Sequence, residues 1–183
     1  MKNALILTWE KFQDVELVYA YYKLKEEFNV DIIANKQGLI YGINGVKIKS
    51  NFLFYENHEF LNSNRLIKLV EIYDLVLMVG GVISIEYLRQ NKHAISLIQE
   101  FNKQNKIIAS ICHGSQLLIE ADILKNKKIS GYYSIQKDIE NSGAEYVRGV
   151  ITDGNIVTAP HYDFQTRWMQ EVIRVVNERK NIQ

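Results

Sequence analysis

The sequence contains a single cysteine and a single proline among its 183 residues. One thiol cannot form a disulfide within the chain, so an apolar core has to stabilise the fold, and a free thiol suits the cytoplasm. The near absence of proline, together with the lack of any repeat or low-complexity tract, leaves no obvious linker between domains. We therefore predict one domain that spans residues 1–183.

An excess of charge of one sign and long apolar runs are also lacking. The formal net charge is +1, which gives no reason to expect nucleic acid or an anionic membrane as a partner. No apolar run approaches the roughly 20 residues that a membrane-spanning helix needs. The first residues, MKNALILTWEKF, turn polar too early for a secretory signal peptide. These absences favour a cytoplasmic protein that binds neither nucleic acid nor membranes.

Short apolar segments alternate along the chain with segments whose apolar residues recur at helical spacing. This alternation predicts an α/β sandwich with a largely parallel sheet, and Asp14 is expected to cap the first helix. Predicted strands are Ala4–Leu7, Asp31–Ala34, Leu75–Val79 and Ile107–Ile111, with one hairpin of Leu39–Ile43 and Val46–Lys49 and another of Tyr146–Thr152 and Ile156–Thr158 around Asp153-Gly154. Later helices are predicted at Leu61–Glu71, at Glu86–Asn105 with a break near Asn91, at Ile135–Asn141, and at the C-terminus with Trp168, Val172, Val175 and Val176 near one face.

The only cysteine lies where an apolar strand passes directly into a helix, in the stretch KIIASICHGSQLLIE. Such a junction holds Cys112 on a tight corner above the sheet edge, as in a nucleophile elbow, with backbone N–H groups pointing at the same spot. A nearby helix N-terminus would favour the thiolate, which predicts a thiol pKa below the ordinary value of about 8.5. A buried structural thiol is the alternative, and the residues alone leave both interpretations open.

The segment SICHG, between the apolar strand and QLLI, resembles the nucleophile motif of the ThiJ/PfpI superfamily, in particular its intracellular-protease-like PfpI branch. Three more segments, FQDVELVYAYYKLKEE, LVLMVGG and ISGYYSIQKDIENSGAEYV, resemble the family's first helix, glycine-turn strand and C-terminal third. The resemblance implies a flavodoxin-like, class I glutamine amidotransferase-like sandwich with a nucleophile elbow. It also implies a homo-oligomer, either a dimer or a hexamer.

The resemblance implies catalytic roles for four residues, which act through their side chains or their backbone amides. Cys112 would be the nucleophile, His113 the general base, and the amides of Gly81 and His113 the oxyanion hole. FQDVE resembles the family's FEDVE, which implies a protonated Glu16 carboxyl hydrogen-bonded to the sulfur. Without the resemblance, simpler interpretations are open: Glu16 stabilises the start of a helix, and Gly80-Gly81 is no more than a turn.

In the PfpI branch an acidic residue after the glycine pair comes from a neighbouring subunit and orients the histidine. GGVISIEYLR resembles that segment, with Glu86 as the match, but it carries one extra residue and lacks the family's proline. The alternative for Glu86 is a surface glutamate at a helix start. Ser115 also differs from the family, since it replaces the proline that usually follows the elbow glycine.

The substrate pocket is where the sequence departs most from the family. TAPHYDFQTRWM has Pro160 where the family commonly has an arginine, which predicts a less cationic pocket lined by His161 and Tyr162. Packing within the loop is the alternative for both residues. Tyr132 matches a family aromatic residue near the cysteine.

These residues lead us to expect a cysteine-dependent hydrolase or lyase that acts on a small carbonyl compound, an amide or a peptide. We expect no cofactor and no metal, because His58 and His93 have no partners at metal-ligand spacing. The alternative is a redox-sensing or stress-protective protein in which Cys112 is oxidised to a sulfinate and no dedicated substrate exists.

Overall fold

The computed structural model describes residues 1–54 and 63–180. Apolar strands form the centre of the molecule, and helices cover both faces of their sheet. The strands are β1 Lys2–Leu7, β2 Phe28–Ala34, β3 Gly38–Tyr41, β4 Lys47–Ser50, β5 Phe52–Leu53, β6 Leu75–Met78, β7 Ile107–Ile111, β8 Lys128–Ile129, β9 Glu145–Tyr146, β10 Ile151–Asp153 and β11 Ile156–Ala159. The helices are α1 Asp14–Leu24, α2 Ser63–Ile72, α3 Val82–Leu88, α4 Lys92–Lys103, α5 Ser115–Glu120, α6 Gln136–Asn141 and α7 Gln165–Lys180.

The main sheet has seven strands in the order β10-β11-β7-β6-β1-β2-β5. Its pairings are parallel except for β10 with β11, which form an antiparallel hairpin. The predicted α/β sandwich with a largely parallel sheet is therefore confirmed. The carboxyl ends of β6 and β7 lie side by side in the middle of the sheet, so the segments that follow them meet at one edge.

Two apolar clusters cover the two faces of the sheet. Every residue of β6 and β7 is buried, as their unbroken apolar sequences require. Helices α1 and α7 pack on one face, where the predicted C-terminal stripe is buried, and α2 to α6 supply the cluster on the other face. The stripe consists of Trp168, Val172, Val175 and Val176. Among the described residues, no helix is long and apolar enough to cross a membrane.

Asp14 does not cap α1, contrary to the prediction, because it is the first residue of that helix and Gln13 occupies the cap position. Its buried carboxylate instead accepts hydrogen bonds from the backbone N–H groups of Asn44 and Val46, both at 2.9 Å. These bonds hold the turn of the predicted β3–β4 hairpin against the start of α1. A side chain at Gly42 would collide with this carboxylate, since its Cβ would lie 2.3 Å from Oδ1.

Several predicted elements have different boundaries in the structure. The break near Asn91 is confirmed: α3 ends at Leu88, and the Asn91 side chain caps α4. Helix α3 begins at Val82, so Glu86 lies inside a helix rather than at its start. The predicted strand Tyr146–Thr152 is wrong in part, because β9 pairs with β8 in a separate small sheet and only β10 pairs with β11. Of the predicted helix Leu61–Glu71, the first two residues lie outside the described part of the chain.

Candidate active site

The predicted elbow is present at the end of β7. Cys112 has a φ of 60°, a left-handed conformation that is uncommon for a residue with a side chain. The backbone then makes one 3-10 turn, Cys112–Gly114, and continues into α5. Gly114 is needed for close packing, because a Cβ there would lie 2.9 Å from the carbonyl oxygen of Met78 at the end of β6. The strand-to-helix corner therefore presents the sulfur at the carboxyl edge of the sheet.

Buried hydroxyls join this elbow to the segment after β8. The hydroxyl of Ser115 donates to the carbonyl oxygen of Ser130 at 2.8 Å and lies 2.8 Å from the hydroxyl of Ser110. The backbone N–H of Tyr132 donates to the carbonyl oxygen of Cys112 at 3.1 Å. Ser115 and Ser110 are fully buried, so these bonds are shielded from water. The serine that replaces the family's proline thus fixes the loop that carries Tyr132 to the elbow.

Glu16 lies beside the sulfur, as the resemblance implied. Its side chain is almost fully buried, and its Oε2 accepts a hydrogen bond of 2.6 Å from the backbone N–H of Gly80. Its Oε1 is buried without a hydrogen-bond partner among the described residues. A Cβ at Gly80 would lie 2.9 Å from Oε2 and 3.0 Å from the Cys112 sulfur. Gly80 therefore leaves the space in which the carboxyl group and the sulfur meet.

The carboxyl group and the thiol both favour their neutral forms. Burial raises the pKa of Glu16 to about 7, although the hydrogen bonds with Gly80 and Cys112 oppose this. Burial also raises the pKa of the Cys112 thiol, and the nearby Glu16 raises it further, against a hydrogen bond from the backbone N–H of His113. The predicted lowering of the thiol pKa is therefore wrong, because desolvation outweighs the dipole of a short helix. The thiol needs a neighbouring base to lose its proton.

His113 leans over the sulfur and supplies a candidate base. Its Nδ1 lies 3.5 Å from Sγ of Cys112, and its Nε2 lies 3.4 Å from the hydroxyl oxygen of Ser134. Its ring stacks on Tyr132 with 4.6 Å between ring centroids. Burial lowers the pKa of His113, so the neutral imidazole that can accept a proton is favoured. The sequence pointed to His113 but not to Ser134.

The glycine pair after β6 packs against the chain that enters α1. Gly81 has a φ of 109°, and a Cβ there would lie 2.7 Å from the backbone nitrogen of Gln13 and 2.8 Å from the carbonyl oxygen of Lys11. The N–H of Gln13 donates to the carbonyl oxygen of Gly80 at 3.0 Å. Gly81 is therefore required by its backbone conformation and by the backbone atoms beside it, whereas Gly80 is required by the side chains of Glu16 and Cys112.

Glu86 is not brought to His113 within one chain. It lies on the outer part of α3 with 61% of its side chain exposed, and its Oε2 is 3.8 Å from Nη1 of Arg89. Arg89 is also bonded to Glu120. Helix α3 starts at Val82 and buries Ser84, Ile85 and Leu88, so Glu86 lies on its solvent-facing side.

The three predicted pocket residues belong to one cluster of rings. Centroids of Tyr132 and His161 are 5.9 Å apart, and those of His161 and Tyr162 are 3.7 Å apart. Tyr133 joins the cluster at 5.5 Å from Tyr132, and the guanidinium of Arg148 lies 5.7 Å from the centre of the Tyr133 ring. Tyr133 and Arg148 were not predicted from the sequence, although the two adjacent tyrosines were a visible signal.

Within the described residues, no group of three or more histidine, cysteine, aspartate or glutamate side chains could hold a metal ion. His93 lies elsewhere, with its Nδ1 2.8 Å from the carbonyl oxygen of Phe54. His58 is outside the described part of the chain.

The model of the DJ-1/PfpI family matches residues 2–175. The chain belongs to the DJ-1/PfpI family. One curated relative, Deglycase PfpI of Pyrococcus furiosus, is 34% identical to this chain over 174 residues. These residues cover 94% of this chain and 98% of the relative. Deglycase PH1704 of Pyrococcus horikoshii is also 34% identical, over 95% of this chain and 99% of its own length. The resemblance seen in the sequence is thereby confirmed.

The DJ-1/PfpI fold is also found in solved structures. A ThiJ/PfpI domain protein from Brachyspira murdochii superposes with a TM-score of 0.84 at 22% identity, covering 96% of each chain. At this identity the likeness supports the fold alone. The α/β sandwich with a mostly parallel sheet is thus the fold of solved DJ-1/PfpI structures.

Proposed function

We propose that this chain is a cysteine-dependent enzyme of the PfpI type that acts on a carbonyl carbon. The observation that carries the proposal is the position of the Cys112 sulfur, which lies on a strained elbow next to His113 Nδ1 and the Glu16 carboxyl. A nucleophile, a base within reach and a buried acid are the groups that such chemistry needs. The similar proteins named deglycases favour a glycation adduct as substrate, with small amides and peptides as the wider class.

The proposed reaction begins when the sulfur attacks the carbonyl carbon. The thiol proton passes to Nδ1 of His113 while the carbonyl π electrons move to oxygen, and the amides of Gly81 and His113 hold the resulting oxyanion. With an amide or a peptide, collapse breaks the bond to the leaving amine, and His113 returns the proton to that nitrogen. Water then adds to the acyl thioester with His113 as the base, the carbon–sulfur bond breaks, and the proton returns to the sulfur as the acid leaves. With a glycation adduct, the sulfur would instead displace the amine at its carbinol carbon, the amine would take the proton from His113, and the hemithioacetal would then release the aldehyde and the thiol. Glu16, protonated below its pKa of about 7, keeps a second negative charge away from the sulfur.

The pocket that we propose for the substrate is the ring cluster of Tyr132, His161 and Tyr162. Their faces would cover the apolar part of a small substrate next to the elbow, and no cofactor is part of the scheme. We further propose that residues 1–183 act as one domain in the cytoplasm, where a free thiol persists.

A substrate panel tests the proposed function. Wild type and Cys112→Ser should be compared on methylglyoxal, on an amino acid glycated by methylglyoxal, on small amides and on fluorogenic peptides. We expect the wild type to turn over at least one carbonyl substrate and Cys112→Ser to fall to the background rate, because a serine hydroxyl is far less nucleophilic than a thiol here. Equal rates in the two proteins would contradict the proposal.

A redox-sensing or stress-protective role is the second candidate. The Glu16 carboxyl lies beside the sulfur, and its buried Oε1 has no hydrogen-bond partner among the described residues. A protonated carboxyl there could donate to a sulfinate oxygen and stop oxidation before the sulfonate. If mild peroxide gives a stable Cys112 sulfinate by mass spectrometry while no panel substrate is turned over, this role is favoured over the enzyme.

We also propose that the chain forms a homo-oligomer, a dimer or a hexamer, in which Glu86 of a neighbouring copy orients His113. The exposed position of Glu86 on α3 supports this, since its carboxylate is open to a second chain. We expect Glu86→Gln to lower turnover several-fold, whereas Glu140→Gln should not. Glu140 is the matched control because it is a surface glutamate paired with Lys137 at 3.6 Å. A monomer at micromolar concentration by light scattering would end this role for Glu86.

A further inference from the structure

The two nitrogens of the His113 ring face different groups of the same chain. Nδ1 faces the Cys112 sulfur at 3.5 Å, and Nε2 faces the Ser134 hydroxyl at 3.4 Å. A neutral histidine carries one proton, so one nitrogen donates while the other accepts. If Nδ1 is to accept the thiol proton, the proton already on the ring has to be on Nε2, and the Ser134 oxygen is the acceptor placed to receive it.

We propose that Ser134 is a positioning residue that holds the Nε2–H of His113, so that Nδ1 is kept free toward the Cys112 sulfur. This inference rests on the cysteine–histidine pair of the proposed function. It needs no second chain, because Ser134 and His113 are in the same subunit. A carboxylate from a neighbouring copy would have to share the same Nε2–H with the Ser134 oxygen, because the other ring nitrogen faces the sulfur.

The loop that carries Ser134 is fixed to the elbow. Ser134 lies in the 3-10 turn Tyr133–Ile135, and the N–H of Ile135 donates to the carbonyl oxygen of Tyr132 at 3.0 Å. The N–H of Tyr132 donates in turn to the carbonyl oxygen of Cys112. The Tyr132 ring stacks on the imidazole and limits its rotation. The backbone hydrogen bonds therefore fix the position of the Ser134 hydroxyl relative to Nε2 of His113.

A serine differs from a carboxylate in what it does to the charge of the histidine. A hydroxyl can donate or accept, so both partners of the ring set the tautomer: the neutral Cys112 thiol donates toward Nδ1, and the Ser134 oxygen accepts from Nε2–H. Unlike a carboxylate, the hydroxyl adds no negative charge that would stabilise the imidazolium. Among the described residues, titratable and charged groups near the ring include Cys112 with its neighbour Glu16, the stacked Tyr132, and His161, Tyr133 and Arg148 beyond Tyr132. Burial lowers the pKa of His113 in this setting, which agrees with a base that stays neutral until it accepts the thiol proton.

The tautomer of His113 can be measured directly. Nitrogen-15 NMR of the imidazole should show the Nε2–H tautomer in the wild type and in Ser134→Thr, which keeps the hydroxyl. Ser134→Ala should show a mixture of the two tautomers. The control is Ser142→Ala, which removes a hydroxyl that donates to the carbonyl oxygen of Ile139 in α6 and should leave His113 unchanged. An unchanged Nε2–H tautomer in Ser134→Ala would overturn the proposal.

Alkylation of Cys112 by iodoacetamide gives a second readout that needs no substrate. We expect Ser134→Ala to react about two- to tenfold more slowly at neutral pH, the range for one neutral hydrogen bond, and Ser134→Thr to react like the wild type. Ser134→Asp should shift the rise of the alkylation rate to lower pH, since a carboxylate stabilises the imidazolium and the imidazolium stabilises the thiolate. Identical pH profiles for Ser134→Ala and wild type would overturn the proposal. Because neither readout depends on turnover, a failed substrate panel would not count against Ser134.

Discussion

Gly81→Ala is expected to lower the free energy of unfolding by about 2–6 kcal/mol, the sum of a strained backbone and an overpacked contact. The φ of 109° at Gly81 lies in a region that residues with a side chain rarely adopt. The new methyl group would also lie 2.7 Å from the nitrogen of Gln13 and 2.9 Å from the carbonyl carbon of Phe12. These are backbone atoms of the segment that leads into α1, so they cannot rotate away as a flexible side chain would.

Gly149→Ala is the matched control for this prediction. Gly149 has a similar φ of 114°, but a Cβ there would meet no atom within 4 Å. The control therefore contains the backbone strain without the collision, and we expect it to lower stability by only about 1–3 kcal/mol. Urea unfolding of both variants measures the difference. Equal losses in the two variants would mean that the segment before α1 moves aside without cost, and that the close packing at the glycine pair is not required.

The parts of this site that depend on local sequence could be predicted from the order of the residues. The apolar run before Cys112 and the helix formers after Gly114 specify the strand-to-helix corner through short-range preferences alone. The break at Asn91 is likewise local, because an asparagine side chain can cap the helix that follows it. Periodicity also predicted the apolar stripe of α7, since one face of a helix has to meet the sheet.

Other features depend on contacts between distant parts of the chain, and the sequence could not predict them. Ser134 is 21 residues from His113, and nothing in its surroundings indicates which side chain it meets. The pKa of the Cys112 thiol depends on burial, which is a property of the packed fold, so a helix N-terminus in the sequence suggested the wrong direction. Asp14 has a residue type that commonly caps helices, yet its partners are the amides of a hairpin turn 30 and 32 residues away.

Glu16→Gln is expected to remove a pH dependence of stability that the wild type has between about pH 4.5 and 7. The pKa of Glu16 is raised from its ordinary value of 4.5 to about 7 in the folded protein, with burial as the main cause. Between these values the folded state binds the proton more tightly than the unfolded state does, so stability falls as the pH rises. The loss from this one group is about 3 kcal/mol across the window and is complete above the folded pKa. Glutamine has no proton to lose, so the variant should lack this decline.

The measurement is the difference in unfolding free energy between wild type and Glu16→Gln, taken by urea denaturation at pH 5, 6, 7 and 8. This difference should change by about 2.5 kcal/mol in favour of the variant from pH 5 to pH 8. Glu10→Gln is the control of opposite sign, since hydrogen bonds with Lys36 and Asn35 lower the pKa of the Glu10 carboxyl. Removing the Glu10 carboxylate should lower the free energy of unfolding slightly at neutral pH. This difference from wild type should shrink as the pH falls through the acid range. A constant difference between wild type and Glu16→Gln from pH 5 to 8 would show that the carboxyl beside the sulfur titrates as an ordinary glutamate, and the proposed protonated acid would be lost with it.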